Sequence, residues 1–450
     1  MPFDPRLALL LTLGLALTPV VSTLAFAGEP LAAEIERRTV EIEPRVIEWR
    51  RDIHQHPELG NRELRTAKLV ADHLRHLGLE VTTGVAHTGV VALLRGGRSG
   101  PVVALRADMD ALPVVEESGL PFASQVKTVD EGKEVGVAHV CGHDAHTAIL
   151  MGVAEILVAI RADLPGTVKF IFQPAEEGPP AGEDGGAALM VRQGVLDNPR
   201  PQAIFGLHVT NRHTVGKLAY RPGPAMAAAD ILRIVVRGRG THGAKPWAGV
   251  DPIVTAAEII LGLQTIASRQ VDVTLEPTIM SIGSIQGGNR ANIIPESVEL
   301  SGTLRTYDEG MKRDIHERIR RKARLIAESA GASAEVTIDS PYKVTINDER
   351  LTERMLPTLR RVAGDGNLLL DPKQTVSEDF SFYQEVIPGL FFYVGVTARG
   401  MDPKQTAPNH SPRFHVDEAG LAVGMRAMAQ LAVDYLESAA LADTRGAQAR

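Results

Sequence analysis

The segment His139-Val-Cys141-Gly-His143-Asp144-Ala-His146 gathers a thiol and several imidazoles into one short stretch. Cys141 and His143 are two residues apart, so on a continuous helix they would point to different sides. A loop just ahead of a helix lets both converge on one ion. Thiolate and imidazole together form a donor set for zinc or a similar transition metal. A lone free cysteine is usually a small buried hydrophobe and a lone histidine a hydrogen-bonded structural residue, but the pair in one glycine-containing loop favours a metal.

Acidic groups follow the same logic. Val168 to Phe172 reads as a buried strand leading into Gln173-Pro-Ala-Glu176-Glu177-Gly178. Ligands in open α/β sheets gather beyond the carboxyl ends of strands. One glutamate can therefore bind metal while its neighbour faces water as a general base, the other reading being an exposed turn. In Arg106-Ala-Asp108-Met-Asp110, residues two apart share a side of an extended segment, so both aspartates can face one cleft. Such a pair can orient a ligand histidine, unless it is a solvated turn. His208, at the end of Ala203 to Leu207, and His410, in Pro408-Asn-His410-Ser-Pro412, are ambiguous singly. Counted with Cys141, His143 and Glu177 they make five ligands, and a thiolate shared by two ions brings each metal towards its usual four partners once water joins.

These residues need a scaffold that holds them at the ends of strands. With 450 residues the chain exceeds one core, which stops growing below about 300 residues. Residues 31 to 52 and 63 to 77 carry helical periodicity. Short β-branched runs follow at Val90 to Leu94, Val102 to Leu105, Val168 to Phe172, Ala203 to Leu207 and Leu390 to Val394, with a helical stretch from Thr147 to Ile160. That pattern predicts an α/β fold with a large, mostly parallel sheet. Between 225 and 338 the order becomes βαββαβ, a ferredoxin-like plan inserted into the larger domain. The expected division is 28–224 and 339–440 for the large domain, 225–338 for the small one, and a poorly ordered tail at 441–450. Arg221-Pro222-Gly223-Pro224 and Ser340-Pro341 read as hinges.

Residues 1–27 read as a cleavable leader. An apolar run from Leu7 to Val21 falls short of the roughly 20 residues a membrane span needs, and Ala25-x-Ala27 supplies a cleavage pattern. Export to the periplasm or medium, with no stable membrane anchor, is the expectation. Cys141 is the only cysteine, so no internal disulfide can staple an exported chain. Basic residues number 48 against 55 acidic ones; the balance excludes the basic face that nucleic acid would require.

Taken together, the motifs resemble the M20 metallopeptidase family, in particular the amidohydrolase branch that includes hippurate hydrolases and auxin conjugate hydrolases. The likeness runs from Arg51-Asp-Ile-His54-Gln-His56-Pro57-Glu58 to Asn409-His410-Ser411-Pro412. It implies hydrolysis of the amide bond of N-acyl or N-aroyl amino acids or small peptides, with two divalent cations, zinc foremost and manganese, cobalt or nickel as alternatives. Cys141, His143, Glu177, His208 and His410 match the family's metal ligands, Glu176 its catalytic base and Asp110 its active-site aspartate. Asp108 stands where other branches have a metal histidine. Gly240-Thr241-His242-Gly243 resembles the lid motif, whose histidine reaches an active site, in many members that of a second copy. Asn292 and Arg305 resemble residues that hold the substrate's free carboxylate, and the resemblance implies a homodimer through the small domain. Ser377-Glu378-Asp379-Phe380-Ser381 is family-like without an assigned role. The stretch Pro179 to Gly186 looks longer than the family's usual loop and lies near the expected cleft. Two other readings stay open here: a hydrolase with Cys141 as nucleophile, and a noncatalytic exported protein that binds metal or amino acids.

Overall fold

The computed structural model describes residues 29–448; the leader read over residues 1–27 lies outside them. An eight-stranded sheet forms the larger layer, ordered Glu80–Val85, Gly89–Arg95, Pro165–Gln173, Arg98–Asp108, Ala203–Thr214, Gly389–Thr397, Leu218–Tyr220 and Leu368–Leu370. Its four central strands run parallel. Val103, Leu105, Val168, Phe170 and Phe205 face one core, whereas Ala104, Ile171 and Ile204 face another on the opposite side. Burial on both faces is the reason these strands read as continuous apolar runs.

Long helices Glu29–Gln55, His143–Ala159 and Ala419–Gln448 pack together on the first face. Shorter helices, Gly186–Arg192 and Ser381–Gln384, contribute Ala187, Met190 and Tyr383 to the second core. The last long helix continues to Gln448. Ala439-Ala440-Leu441-Ala442 consists of strong helix formers and simply prolongs the preceding turns. No helix among the described residues is long and apolar enough to cross a membrane.

A second, four-stranded antiparallel sheet has the spatial order Thr278–Gln286, Ser297–Thr306, Ala228–Arg237, Ser333–Tyr342. In chain order this is 2-3-1-4, the ferredoxin-like arrangement. Helices Pro252–Arg269 and Glu309–Ser329 supply Ile259, Leu263, Ile315 and Ile319 to its own core. Both helices start where the sequence provides a cap: the Asp251 carboxylate accepts from Ile253 and Val254 N–H, and Asp308 accepts from Met311 N–H.

The chain passes between the two sheets through adjacent strands, Gly223–Met226 and Thr345–Asn347, which pair antiparallel. Asn347 is fully buried there. Its Nδ2 donates to the Arg221 and Phe391 carbonyls at 2.8 and 2.9 Å, and its Oδ1 accepts from Phe391 N–H and Gln384 Nε2 at 2.7 and 3.0 Å.

Candidate functional site

Two of the parallel strands end with polar residues, Asp108 and Gln173, and His208 faces them from the middle of Ala203–Thr214, a strand that runs on past the end expected at Leu207. The loop carrying Cys141 meets them through Gly142, whose φ is +109°; a Cβ there would stand 2.3 Å from Val209 Cγ2. The following helix begins at His143, a full turn before the apolar pattern that starts at Thr147. Asp144, His146 and Thr147 are polar yet buried, so apolar periodicity alone misses that turn. Two non-glycine residues in the site hold positive φ, Ala175 at 51° and His410 at 69°. Such conformations cost on the order of 1–3 kcal/mol each and persist where the surroundings enforce them. Here Glu63 accepts from Ala175 N–H at 2.8 Å, and the His410 N–H donates to the Val140 carbonyl at 2.7 Å.

Five side chains expected as ligands come together. Cys141 Sγ lies 3.3 Å from His208 Nε2 and 3.3 Å from His410 Nε2. Glu177 Oε1 is 3.0 Å from His410 Nε2 and 3.9 Å from His143 Nε2. Donor atoms of Cys141, His143 and His208 all lie within 4.8 Å of one another, as do those of Cys141, Glu177 and His410, so the thiol belongs to both groups. His208 Nδ1 faces the Val209 carbonyl at 2.7 Å, and His143 Nδ1 faces the Asp110 carbonyl at 2.8 Å. A carbonyl only accepts, so each Nδ1 carries hydrogen and Nε2 is the nitrogen turned towards the other donors. His143 Nε2 is buried with no hydrogen-bond partner. A soft, shared thiol flanked by oriented imidazoles and a carboxylate fits a pair of divalent cations.

The electrostatics agree with that fit. Burial pushes the Glu176 carboxyl well above the usual carboxylate range, and the charges of Glu378, Glu177 and Asp379 add to it. Burial also pushes the Cys141 thiol up, reinforced by Glu177 and Glu176. On His143 burial opposes the charged form, but Asp108, Asp110 and Glu177 outweigh it and raise its pKa to about 10. The pocket carries an excess of negative charge that a cation offsets.

Behind the donors lies a layer that sequence reading did not assemble. Arg106 is completely buried; its guanidinium donates to Asp108 at 2.7 Å, Glu378 at 3.0 Å, Asp379 at 2.9 Å and Gln173 at 2.8 Å. Asp108 also faces His146 Nδ1 at 2.6 Å, while His146 Nε2 accepts from Val209 N–H at 2.8 Å. Asp108 and His146 are thus committed to each other and to the scaffold. Asp110 has a similar post: one carboxylate oxygen is 3.2 Å from His143 Nδ1 and the other accepts from Glu177 N–H at 2.9 Å. Its contacts are those of an orienting group for two donors. Asp144 accepts from Arg50 at 2.7 Å and meets His54 at 2.9 Å, which locks the start of the His143 helix to the first helix. The signal for Arg106 was present in the Arg-Ala-Asp-Met-Asp and Ser-Glu-Asp motifs, but nothing in either motif pairs them across the chain.

A cavity of 370 Å³ opens beside the cluster, lined in part by Glu176, Glu177, His208, His410, Ser377 and Tyr393. Arg305 reaches its margin, donating to Ser377 Oγ at 2.9 Å. His242 and Asn292 do not join this cavity. Both are exposed and line a separate hollow beside a two-stranded sheet of its own, Thr241–His242 paired with Ile293–Ile294, in the small domain. Within one chain they line this hollow and not the cavity beside the cluster. Tyr342, at the end of the small sheet's last strand, was not expected; its hydroxyl donates to the Glu176 carbonyl at 2.8 Å.

Comparison with known proteins follows the same lines. The chain is 38% identical over 408 residues to thermostable carboxypeptidase 2 of Saccharolobus solfataricus, covering 90% of this chain and 99% of that one. It is 38% identical over 397 residues to an N-acetylcysteine deacetylase of Bacillus subtilis, covering 88% and 97%. Its fold matches the crystal structure of Bacillus subtilis YxeP, described as a dinuclear metal-binding peptidase of the M20 family, with a TM-score of 0.73 and 37% identity over 88% of this chain and 99% of that chain. With residues 104–434 matching the family described as peptidase family M20/M25/M40, the chain belongs to that family of hydrolases, in its amidohydrolase branch.

Proposed function

We propose that the chain hydrolyses the amide bond of N-acyl amino acids or small peptides with a pair of divalent cations, zinc foremost. The observation that carries this reading is the single thiol of Cys141, within 3.3 Å of two imidazole nitrogens from distant parts of the chain. One cation would be held by Cys141, His143 and His208, the other by Cys141, Glu177 and His410. When bound, such cations act as Lewis acids towards the scissile carbonyl and acidify water. Glu176 then takes the proton of the attacking water and hands it to the leaving amine, from a carboxyl beside His143 and open to the cavity. Arg305 anchors the leaving amino acid's carboxylate with its planar fork. Asn292 assists in that anchoring and His242 stabilises the oxyanion, both contributed by a second copy docked through the small sheet. Their exposure on a separate hollow supports sharing between copies. The chain acts after export, with residues 1–27 removed.

The surroundings of Cys141 speak against its use as a nucleophile. Its Sγ belongs to both groups of candidate donors and lies 3.3 Å from the Nε2 atoms of His208 and His410, the position of a metal ligand. Chelation tests the choice. Dialysis against a chelator is expected to abolish hydrolysis of N-acetyl and N-benzoyl amino acids, and zinc, manganese, cobalt or nickel to restore it. Activity that persists in metal-free protein would overturn the reading. A protein that bound such compounds without turning any over would be a binding protein instead.

A further inference from the structure

The peptide group that joins Glu176 to Glu177 is held at both of its poles. Its N–H, that of Glu177, donates to Asp110 at 2.9 Å, and its carbonyl, that of Glu176, accepts from the Tyr342 hydroxyl at 2.8 Å. A peptide unit is planar, so the two contacts fix one plane, and that plane sets the direction in which both glutamate side chains leave the backbone. Asp110 belongs to the large domain and Tyr342 to the small one. Ala175, just before the pair, is kept at φ 51° with its N–H on the buried Glu63. Of these holds on the turn, only the one at the Glu176 carbonyl comes from the small sheet.

The small sheet is shaped to deliver that hydroxyl. Ile231 pairs with Asp339, and a regular ladder would then set Ala229 opposite Pro341. Ala229 instead faces Tyr342, with Ser340 and Pro341 both opposite Asp230. One extra residue of this kind is a β-bulge, and it carries the next side chain to the other face of the sheet. The bulge is pinned: Asp230, fully buried, accepts from Ser340 Oγ at 2.6 Å and lies 2.6 Å from His316 Nε2.

Ala229 pairs with Arg305 across its other edge. Leu232, Ile234 and Leu304 lie in the core beneath the helices, so Ala229 and Arg305, odd steps away from them, lie on the uncovered face. The bulge brings Tyr342 onto that face too. Tyr342 and Arg305 therefore stand in one row, two strands or on the order of 10 Å apart, and both cross to the large domain, one at Glu176 and the other at Ser377.

We propose that Tyr342 is a positioning residue: it locks the peptide plane shared by Glu176 and Glu177, and through the common row it ties that plane to Arg305. The inference rests on the amidohydrolase reading above. Whatever holds Arg305 in place, a substrate carboxylate included, also holds Tyr342 against the backbone of the base.

Two substitutions separate hydroxyl from ring, Tyr342→Phe removing the first and Tyr342→Leu both. In the metal-loaded enzyme acting on N-acetyl-L-alanine, Tyr342→Phe is expected to lower kcat about tenfold or more, since a misplaced base costs more than the lost bond itself. KM should stay within about twofold, and metal content, read by elemental analysis, at the wild-type value. Hydrogen exchange over residues 174–178, followed by mass spectrometry in the same protein, is expected to quicken about fivefold. Combined with Arg305→Met, the two losses in kcat/KM should fall short of their product by at least about threefold. Wild-type kcat and exchange in Tyr342→Phe, with losses only in Tyr342→Leu, would show that the ring merely packs and overturn the proposal. A rise in KM alone, or a fall in kcat matched by lost metal, overturns it as well, and losses that multiply overturn the tie to Arg305. If even the wild type turns over neither N-acetyl- nor N-benzoyl-L-alanine, the amidohydrolase reading fails, and the exchange rates still decide whether Tyr342 holds the plane.

Discussion

The cluster at the edge of the large sheet and the His242–Asn292 hollow on the small sheet carry residues of similar chemical type in opposite states. Around Cys141, each imidazole expected at a metal is turned by a second contact or a constrained backbone, from the Asp110 and Val209 carbonyls to the positive φ of His410. At His242 the ring has one local contact, Nδ1 accepting from Ala244 N–H at 3.0 Å, and otherwise faces outward. The first region is held together within one chain, and the second is an exposed surface, where the second copy proposed above would dock. Preorganisation is therefore concentrated where charge develops, and what comes from outside is left free to arrive and leave.

The contrast can be broken at several points. Glu176→Gln is expected to lower kcat by about 10²–10⁴-fold while metal content, measured by elemental analysis, stays at the wild-type value; near-normal turnover would remove Glu176 from the chemistry. Arg106→Met leaves Asp108, Glu378 and Asp379 without their shared cation and is expected to destabilise the fold by about 3–5 kcal/mol. Urea unfolding measures it, and an unchanged midpoint would mean the network is not needed for stability. His242→Ala is expected to reduce kcat by about 10²-fold with unfolding and metal content unaltered. Mixing it with Glu176→Gln protein should restore activity if copies share sites; mixed dimers without recovery would place His242 in its own chain's chemistry. The smallest effect is Asp251→Ala, which removes the cap of the helix Pro252–Arg269 and is expected to cost about 1 kcal/mol with kcat unchanged; loss of kcat instead would tie the small sheet's stability to the site.

Much of the cluster was legible because its elements carry their own punctuation. Glycine ahead of His143 and adjacent glutamates after a β-branched run are local patterns, and the small sheet's βαββαβ order could be read from period and turns. Arg106 was not legible as a hub, because its partners Glu378 and Asp379 lie 272 and 273 residues away, and charged residues in a sequence read as solvated. The start of the His143 helix was displaced for a related reason: its first turn is buried by ion pairs to Arg50 and His54 instead of by apolar side chains. Whether His242 faces its own chain's cluster depends on how two sheets are set against each other, and no local pattern carries that orientation.

The paired crossing between the sheets limits how the molecule can rearrange. Two separate linkers at the proline-containing stretches would let the small sheet tumble about two independent pivots. Because Gly223–Met226 and Thr345–Asn347 are hydrogen-bonded side by side, with the Asn347 amide riveting both to the Phe391 strand, they flex as one ribbon. A ribbon yields across its face and resists bending in its plane, so a displacement of the small sheet is expected to follow that one direction and to load the hydrogen bond from Tyr342 to the Glu176 carbonyl.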